Sequence, residues 1–443
     1  MTIYALSSGS GISGVSIIRV SGPKTKDVIK KLSLGEFPKP RVATLKKIKK
    51  INENEIIDEG IIIWFPGPES YTGEDMAEFH VHGSRAVIKA INHSISQIQG
   101  CRLADAGEFT KIAFQNNKIS LLKAESIGDL IYSETEIQRK QAIKLMEGKN
   151  SKKFEDWREK LIKILSKVEA KIDFPEDDLP KKILNDIKKD TQKIIYEINK
   201  NLNDQKVGER IREGFKIAIV GPTNAGKSSL LNFLSRREVA IVSEIAGTTR
   251  DVIEVHLNID GLPVVLSDTA GIRNSKNEIE KRGIKLALKK ADNADLNIVV
   301  IEPKNVHFTG FLKDLISNKS ILVVNKSDLG INNMVSELKK FKPIYISLKN
   351  EKNIDKLISA IKSKLKNQFV NVEDILITRE RHRQNLEQCV SHLQSFANKN
   401  ELNDFDTAAE DLRLAARHLG MIVGKVDVEE ILGSIFNDFC IGK

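Results

Sequence analysis

The chain has 443 residues, room for roughly two to four domains, with 40% of them hydrophobic and 29% charged. No apolar run approaches the ~20 residues that cross a bilayer. The uncharged, Gly/Ser-rich start is no signal peptide, and Cys101, Cys389 and Cys440 lack metal-type spacing, so a cytoplasmic protein without stable membrane insertion is expected. The formal charge of +10 reads equally as affinity for RNA or as the Lys-rich bias of a chain also rich in Ile and Asn.

Residues 1–117 mix short β-type runs at 15–20, 61–65 and 79–81 with turns such as Pro66-Gly67-Pro68, the texture of a small α/β domain. Residues 119–210 change to helical spacing. Trp157, Leu161, Ile164, Leu165 and Val168 form one stripe, and Ile183, Leu184, Ile187, Ile194, Ile195 and Ile198 continue it. Phe174-Pro175-Glu176 and Leu179-Pro180 interrupt it. Residues 215–366 alternate strand, loop and helix, with strands expected at 215–220, 252–259, 263–267, 296–301, 320–325 and 343–347. Asp260-Gly261 predicts a hairpin between the second and third, so one strand is antiparallel in an otherwise parallel sheet flanked by helices. Past residue 370 the helical stripe returns at Leu386, Cys389, Val390, Leu393 and Phe396, then at Leu412, Ala415, Ala416 and Leu419. Helical flanks on both sides of an α/β unit suggest an insertion, with the flanks packing together.

Gly221 opens a Gly-x4-Gly-Lys-Ser pattern closed by Gly226, Lys227 and Ser228, after an apolar strand and before a helix. There, backbone N–H groups and the helix N-terminus meet phosphate oxygens. Lys227 supplies charge to the β- and γ-phosphates, and the Ser228 hydroxyl suits Mg²⁺. Asn325-Lys326-Ser327-Asp328 follows another apolar strand and resembles the guanine-specificity motif of the GTPase superfamily. The Asp328 carboxylate can accept from the ring N–H and the exocyclic amine of guanine, donors that adenine lacks. Asp268-Thr269-Ala270-Gly271 ends a third strand, where Asp268 suits water-mediated Mg²⁺ contact and the Gly271 N–H suits the γ-phosphate. Thr249, within Gly247-Thr248-Thr249-Arg250-Asp251, is expected to complete the Mg²⁺ shell. Ser347-Leu348-Lys349 stands where the superfamily usually supports the base with Ser-Ala. Ile272 occupies the position that often holds a water-orienting Gln, so another group must do that work. Glu278 and Glu280 follow, and composition alone reads them as solvated loop acids.

Over essentially its full length the chain resembles the bacterial tRNA-modification GTPase MnmE (TrmE) family. The signatures are Ser70-Tyr71-Thr72-Gly73-Glu74-Asp75, Glu78, His82-Gly83, Arg102-Leu103-Ala104, Gly107-Glu108-Phe109, the 247–251 segment, and Phe439-Cys440-Ile441-Gly442-Lys443. The resemblance implies an N-terminal α/β domain for dimerisation and folate binding (1–118), a helical domain in two parts (119–213 and 369–443), and an inserted Ras-like P-loop GTPase domain (214–368).

It further implies a homodimer acting with a flavin-dependent partner, MnmG (GidA), as a heterotetramer on tRNA. The product would carry a carboxymethylaminomethyl or aminomethyl group at the 5-position of the wobble uridine. A 5-formyl- or 5,10-methylene-tetrahydrofolate would be held by Arg19, Glu78, Lys118 and Lys443. GTP would lie against Asn224, Ala225, Gly226, Lys227, Ser228, Ser229, Ser243, Glu244, Ile245, Ala246, Gly247, Thr248, Thr249, Asp268, Thr269, Ala270, Gly271, Asn325, Lys326, Asp328, Ser347, Leu348 and Lys349. Mg²⁺ would be bound through Ser228 and Thr249, and K⁺ through Asn224, Ser243, Ile245 and Thr248. Glu280 would position water, with Lys227 and Cys440 completing the catalytic set. Two departures stand out: Gly11-Ile12-Ser13-Gly14 where the family often has Gly-Arg-Gly-Gly, and Leu348. An RNA-binding ribosome-assembly GTPase shares the nucleotide motifs but gives the terminal Cys-Ile-Gly-Lys no role.

Overall fold

The computed structural model describes all residues except 52, 54, 174–180, 223, 237–253, 269–287, 304–314, 331–337, 339, 367–374, 400–404, 427–431, 433–434, 437–438, 440–441 and 443. Contacts divide the chain into two compact units: Met1–Gly128 with Leu145–Arg158 and Arg417–Lys443, and Asp129–Lys144 with Glu159–Ala416.

The first unit opens with β1 (Thr2–Leu6), β2 (Ser13–Ser21), α1 (Thr25–Leu32), β3 (Thr44–Lys49), β4 (Ile56–Phe65), β5 (Met76–Gly83), α2 (Arg85–Ser96), β6 (Cys101–Leu103) and α3 (Glu108–Gln115). The strands form one sheet in the order β3-β4-β5-β2-β1-β6, antiparallel but for β1 beside β6. Side chains alternate across such a sheet. Ile18, Val20, Phe79 and Val81 therefore share the face that packs with Val28, Ile29, Ile91 and Ile95 of α1 and α2. Arg19 and Glu78, paired in register across β2 and β5, fall on the opposite face. There Ile3, Ala5, Ala104 and Phe109 make a smaller core with Tyr71 beside it.

Helices follow: α4 (Leu121–Ile131), α5 (Glu136–Met146), α6 (Lys149–Asp173), α7 (Lys181–Leu202) and α8 (Val207–Glu213). Leu121 and Ala124 of α4 pack with Leu432, Ile435, Phe436 and Phe439, which anchors the end of the chain in the first unit. Phe154 and Trp157 of α6 are buried and meet edge to face at 5.9 Å. The Pro-containing breaks expected at 174–180 lie outside the described residues, between α6 and α7.

The second unit carries β7 (Phe215–Val220), α9 (Lys227–Arg236), β8 (Glu254–Ile259), β9 (Leu262–Asp268), β10 (Leu296–Ile301), β11 (Ser320–Val324), β12 (Ile344–Tyr345), α10 (Ile354–Lys366), α11 (Glu380–Asn398) and α12 (Phe405–Val423) as far as Ala416. The sheet order is β12-β11-β10-β7-β9-β8, parallel throughout except for β8 against β9. Both faces are covered, which is why the strands read as continuous apolar runs. Ile217, Ile219, Ile298 and Val300 face one core, and Ala218, Val220, Val299 and Ile301 the other. The Asp260-Gly261 hairpin has left-handed backbone at both residues, φ 55° and 87°, as a two-residue turn of primed type requires. Arg383 of α11 reaches the Leu202 carbonyl at the end of α7 at 2.9 Å, so helical segments from either side of the sheet in sequence meet. Among the described residues no helix is long and apolar enough to cross a membrane.

Candidate functional site

β7 delivers the chain into the loop that begins at Gly221, and α9 starts at Lys227. The Lys227 side chain is buried (8% exposed), and its ammonium donates to the Pro222 carbonyl at 2.7 Å. The cation is thus folded back over the loop. Ser228 and Ser229 are exposed in the first turn of α9, the end of a helix whose backbone N–H groups have no intrahelical acceptor. Gly226 has φ 94°, and a Cβ there would fall on the Asn325 amide nitrogen. Only glycine lets that amide approach.

The guanine-type motif closes on the same loop. Asn325 is 3% exposed, and its Nδ2 donates to the Ala225 carbonyl at 3.0 Å, while its Oδ1 is buried without a partner among the described residues. An orphaned buried acceptor costs free energy unless a ligand or water satisfies it. Lys326 has φ 57°, and its ammonium donates to the Asn224 carbonyl at 2.7 Å and to Glu302 Oε2 at 2.7 Å. Asp328 lies in a short 3-10 turn, exposed, and its Oδ1 accepts from the buried Ser347 hydroxyl at 2.6 Å. That hydrogen bond is the chief reason the carboxyl is held below the usual carboxylate range, with its own backbone N–H and the Lys349 charge adding to it. Leu348 packs against the main core of the sheet, so its departure from Ala is used for packing. Asn224, exposed with φ 64°, sits at the turn of the loop.

Asp268 ends β9, its Cα opposite Ile219 of β7, so its backbone emerges beside the strand that feeds the phosphate-type loop. Oxygen donors of this kind suit a hard cation such as Mg²⁺. Residues 243–249, Thr269, Ala270, Gly271, Ile272, Glu278 and Glu280 lie outside the described residues. Among the described residues no group of three His, Cys, Asp or Glu could hold a metal ion.

A second cluster occupies the first unit. Glu78 Oε1 accepts from Arg19 Nε at 3.1 Å and Nη2 at 2.8 Å, and Glu78 Oε2 lies 3.2 Å from His80 Nε2. The guanidinium stands 5.7 Å from the ring centres of Tyr71 and Phe109. Gly442 comes to the same place, its carbonyl accepting from Ser7 Oγ at 2.7 Å and lying 3.5 Å from Arg19 Nη1. The Lys118 stem runs against Gly73, in the loop that bears Tyr71. Cys440 and Lys443 lie outside the described residues. Sequence reasoning missed His80 and Glu302, and named Tyr71 only within a family signature. The alternation of β5 could have paired His80 with Glu78, but Glu302 needed the strand order.

A parallel sheet with a P-loop, and a base-recognition motif closing on that loop, define a protein of the GTPase superfamily with a Ras-like nucleotide domain. The sequence matches the family descriptions "GTP-binding protein TrmE N-terminus" over residues 2–118 and "MnmE helical domain" over residues 121–440. It is 71% identical over 443 residues to the "tRNA modification GTPase MnmE" of Pelagibacter ubique (strain HTCC1062), covering 100% of both chains. It is 44% identical over 450 residues to the protein of the same name from Rickettsia bellii (strain RML369-C), again covering 100% of each. The chain belongs to the MnmE family.

Proposed function

We propose that the chain hydrolyses GTP as its part in tRNA modification, acting as a homodimer with flavin-dependent MnmG at the 5-position of the wobble uridine, in the cytoplasm. One observation carries the nucleotide half of this reading: Asn325 and Lys326 bond to the carbonyls of Ala225 and Asn224, while Ser347 holds Asp328 ionised. A base selected by Asp328 is thereby tied to a loop built for phosphates.

In this reading Lys227 leaves the Pro222 carbonyl for the phosphate oxygens, a short rotation for a side chain already inside the loop. The N–H groups of the loop and of α9 stabilise charge that grows on the phosphoryl oxygens during transfer. Ser228, with Thr249, would hold Mg²⁺, which supplies charge neutralisation. Asn224, with Ser243, Ile245 and Thr248, would hold K⁺ in the role of a second positive charge. Glu280 would orient the attacking water, since Ile272 has no polar group. In the first unit, Arg19, Glu78, Lys118 and Lys443 would take a tetrahydrofolate derivative that supplies a one-carbon unit. Glu78 suits donors on a pterin, and the cations suit a glutamate carboxylate. The Gly442 carbonyl, which accepts from Ser7 Oγ in the first unit, supports including the end of the chain in this reading. We take 1–118, 119–213 with 369–443, and 214–368 as the functional divisions.

The test has two arms. The purified chain with magnesium should bind GTP and release phosphate, faster in K⁺ than in Na⁺, and Glu280→Ala should slow release while sparing binding. Nucleoside analysis of tRNA from cells lacking the gene should show loss of the wobble modification. Binding without hydrolysis in either salt overturns the enzymatic reading, and unchanged tRNA overturns the pathway.

A further inference from the structure

We propose that Glu302 is a positioning residue for nucleotide binding: its carboxylate fixes the Lys326 side chain as one wall of the base site. The proposal rests on reading that site as a guanine-nucleotide site.

The strand order puts the two residues together. Ile301, last in β10, pairs with Val324, last in β11, and the Asn325 N–H donates to the Ile301 carbonyl at 2.9 Å. Both strands run the same way, so Glu302 and Asn325-Lys326 leave the sheet side by side at the edge that carries the phosphate-type loop. The Lys326 ammonium then meets Glu302 Oε2 at 2.7 Å and the Asn224 carbonyl at 2.7 Å. Two acceptors on different elements fix the position of Nζ, and with the backbone fixed at the other end the stem is held between them; one acceptor would let the head swing.

Physical chemistry gives the pair a purpose. A lysine stem carries ~2 kcal/mol of rotamer entropy and a strongly hydrated head. Lys326 is 37% exposed, so without the carboxylate the ammonium would spend more time in water. The acid itself is only 17% exposed and sits near a loop built for anions. A carboxylate there opposes phosphate binding unless its charge is matched, and Lys326 matches it. With the head held between Glu302 and Asn224, the methylenes of Lys326 are presented sideways. They form an apolar surface with a polar end, suited to the flat face of a base. The left-handed backbone of Lys326, φ 57°, sets the same exit direction. The role is in holding nucleotide, so it should appear in affinity and leave the chemical step alone.

The test is a double-mutant cycle on the full chain, with GDP and GTP as ligands. Glu302→Ala should raise Kd for both nucleotides ~5- to 10-fold, the range of a coupled contact pair, and raise KM in proportion with kcat retained. Glu302→Gln, of the same shape, should fall between, and it carries the test if Glu302→Ala loses its thermal transition. In a Lys326→Ala background, the Glu302 substitution should no longer raise Kd, and should leave it equal or lower because the unmatched carboxylate is gone. Equal loss in both backgrounds, or a loss confined to kcat, overturns the positioning role while leaving the guanine site standing. Wild-type protein that takes up neither nucleotide overturns the site reading itself and the proposal with it.

Discussion

In the guanine site proposed above, Asp328 must be ionised and aimed before a base arrives, and the Ser347 hydroxyl serves both ends. Ser347 donates at 2.6 Å and is the main reason the carboxyl stays below the usual carboxylate range. Guanine needs the acceptor form, so affinity should hold as pH falls through ordinary carboxylate values and fail only below them. Ser347→Ala removes the donor, and the acid limb of GDP affinity against pH should move upward, toward about pH 4. An acid limb that stays in place would assign the shift to another cause. Asp328→Asn should weaken GTP by ~10- to 100-fold, the range for hydrogen bonds to a charged group, and favour xanthosine nucleotides, whose carbonyl replaces the exocyclic amine. Competition between GTP and XTP for a fluorescent GDP analogue measures this, and an unchanged preference contradicts the assignment. Asp328, Ser347 and Lys227 were legible in the sequence because each sits in a short motif at the end of an apolar run. Glu302 was not, because its partner lies 24 residues away and is reached only through the β10–β11 register.

At the level of elements, the β8–β9 hairpin shows what local chemistry can and cannot announce. Asp260-Gly261 between alternating apolar residues signalled the turn, and the backbone there is left-handed as that turn demands. What holds the hairpin was invisible: Asp260 pairs with Lys362 and, at 3.6 Å, Lys366 of α10, and His256 of β8 lies 2.9 Å from Glu134, just ahead of α5. Gly261→Ala forces a side chain into φ 87° and should cost about 1–2 kcal/mol. A urea midpoint unchanged from wild type would mean the turn relaxes to another form. The strand β3 escaped sequence reading for the opposite reason. Its Lys46, Lys47 and Lys49 look unlike a strand, yet β3 is the sheet's outer edge, where lysines discourage pairing with other chains. β1 was hidden in a Gly/Ser-rich start because its partners, β2 and β6, come later in the chain.

For the molecule as a whole, the instructive group is Arg383. It is 5% exposed and bonds at once to Glu209 of α8 at 2.7 Å, Asp204 at 2.6 Å and the Leu202 carbonyl at 2.9 Å. α8 runs directly into β7 and hence into the nucleotide loop, so one guanidinium ties the helices that precede the sheet to the helix that follows it. The insertion was legible as helical texture on both sides of a P-loop unit, since periodicity reports faces. The clasp was not, because nothing in Arg383 or Glu209 taken singly marks a buried ion pair. Arg383→Ala leaves Glu209, 8% exposed, without its partner, and breaking such a pair costs about 3–5 kcal/mol. Replacing the two most buried members by apolar residues of similar size, Arg383→Met with Glu209→Leu, should cost less, since desolvation of those two charges offsets most of their attraction and the remaining carboxylate, Asp204, is 20% exposed to water. Denaturant unfolding followed through bound nucleotide and through far-UV circular dichroism would separate the outcomes. If Arg383→Ala is as stable as the double variant, the charge pair is incidental. If it unfolds the helical segments while nucleotide stays bound, the clasp serves those helices and the nucleotide sheet stands without it.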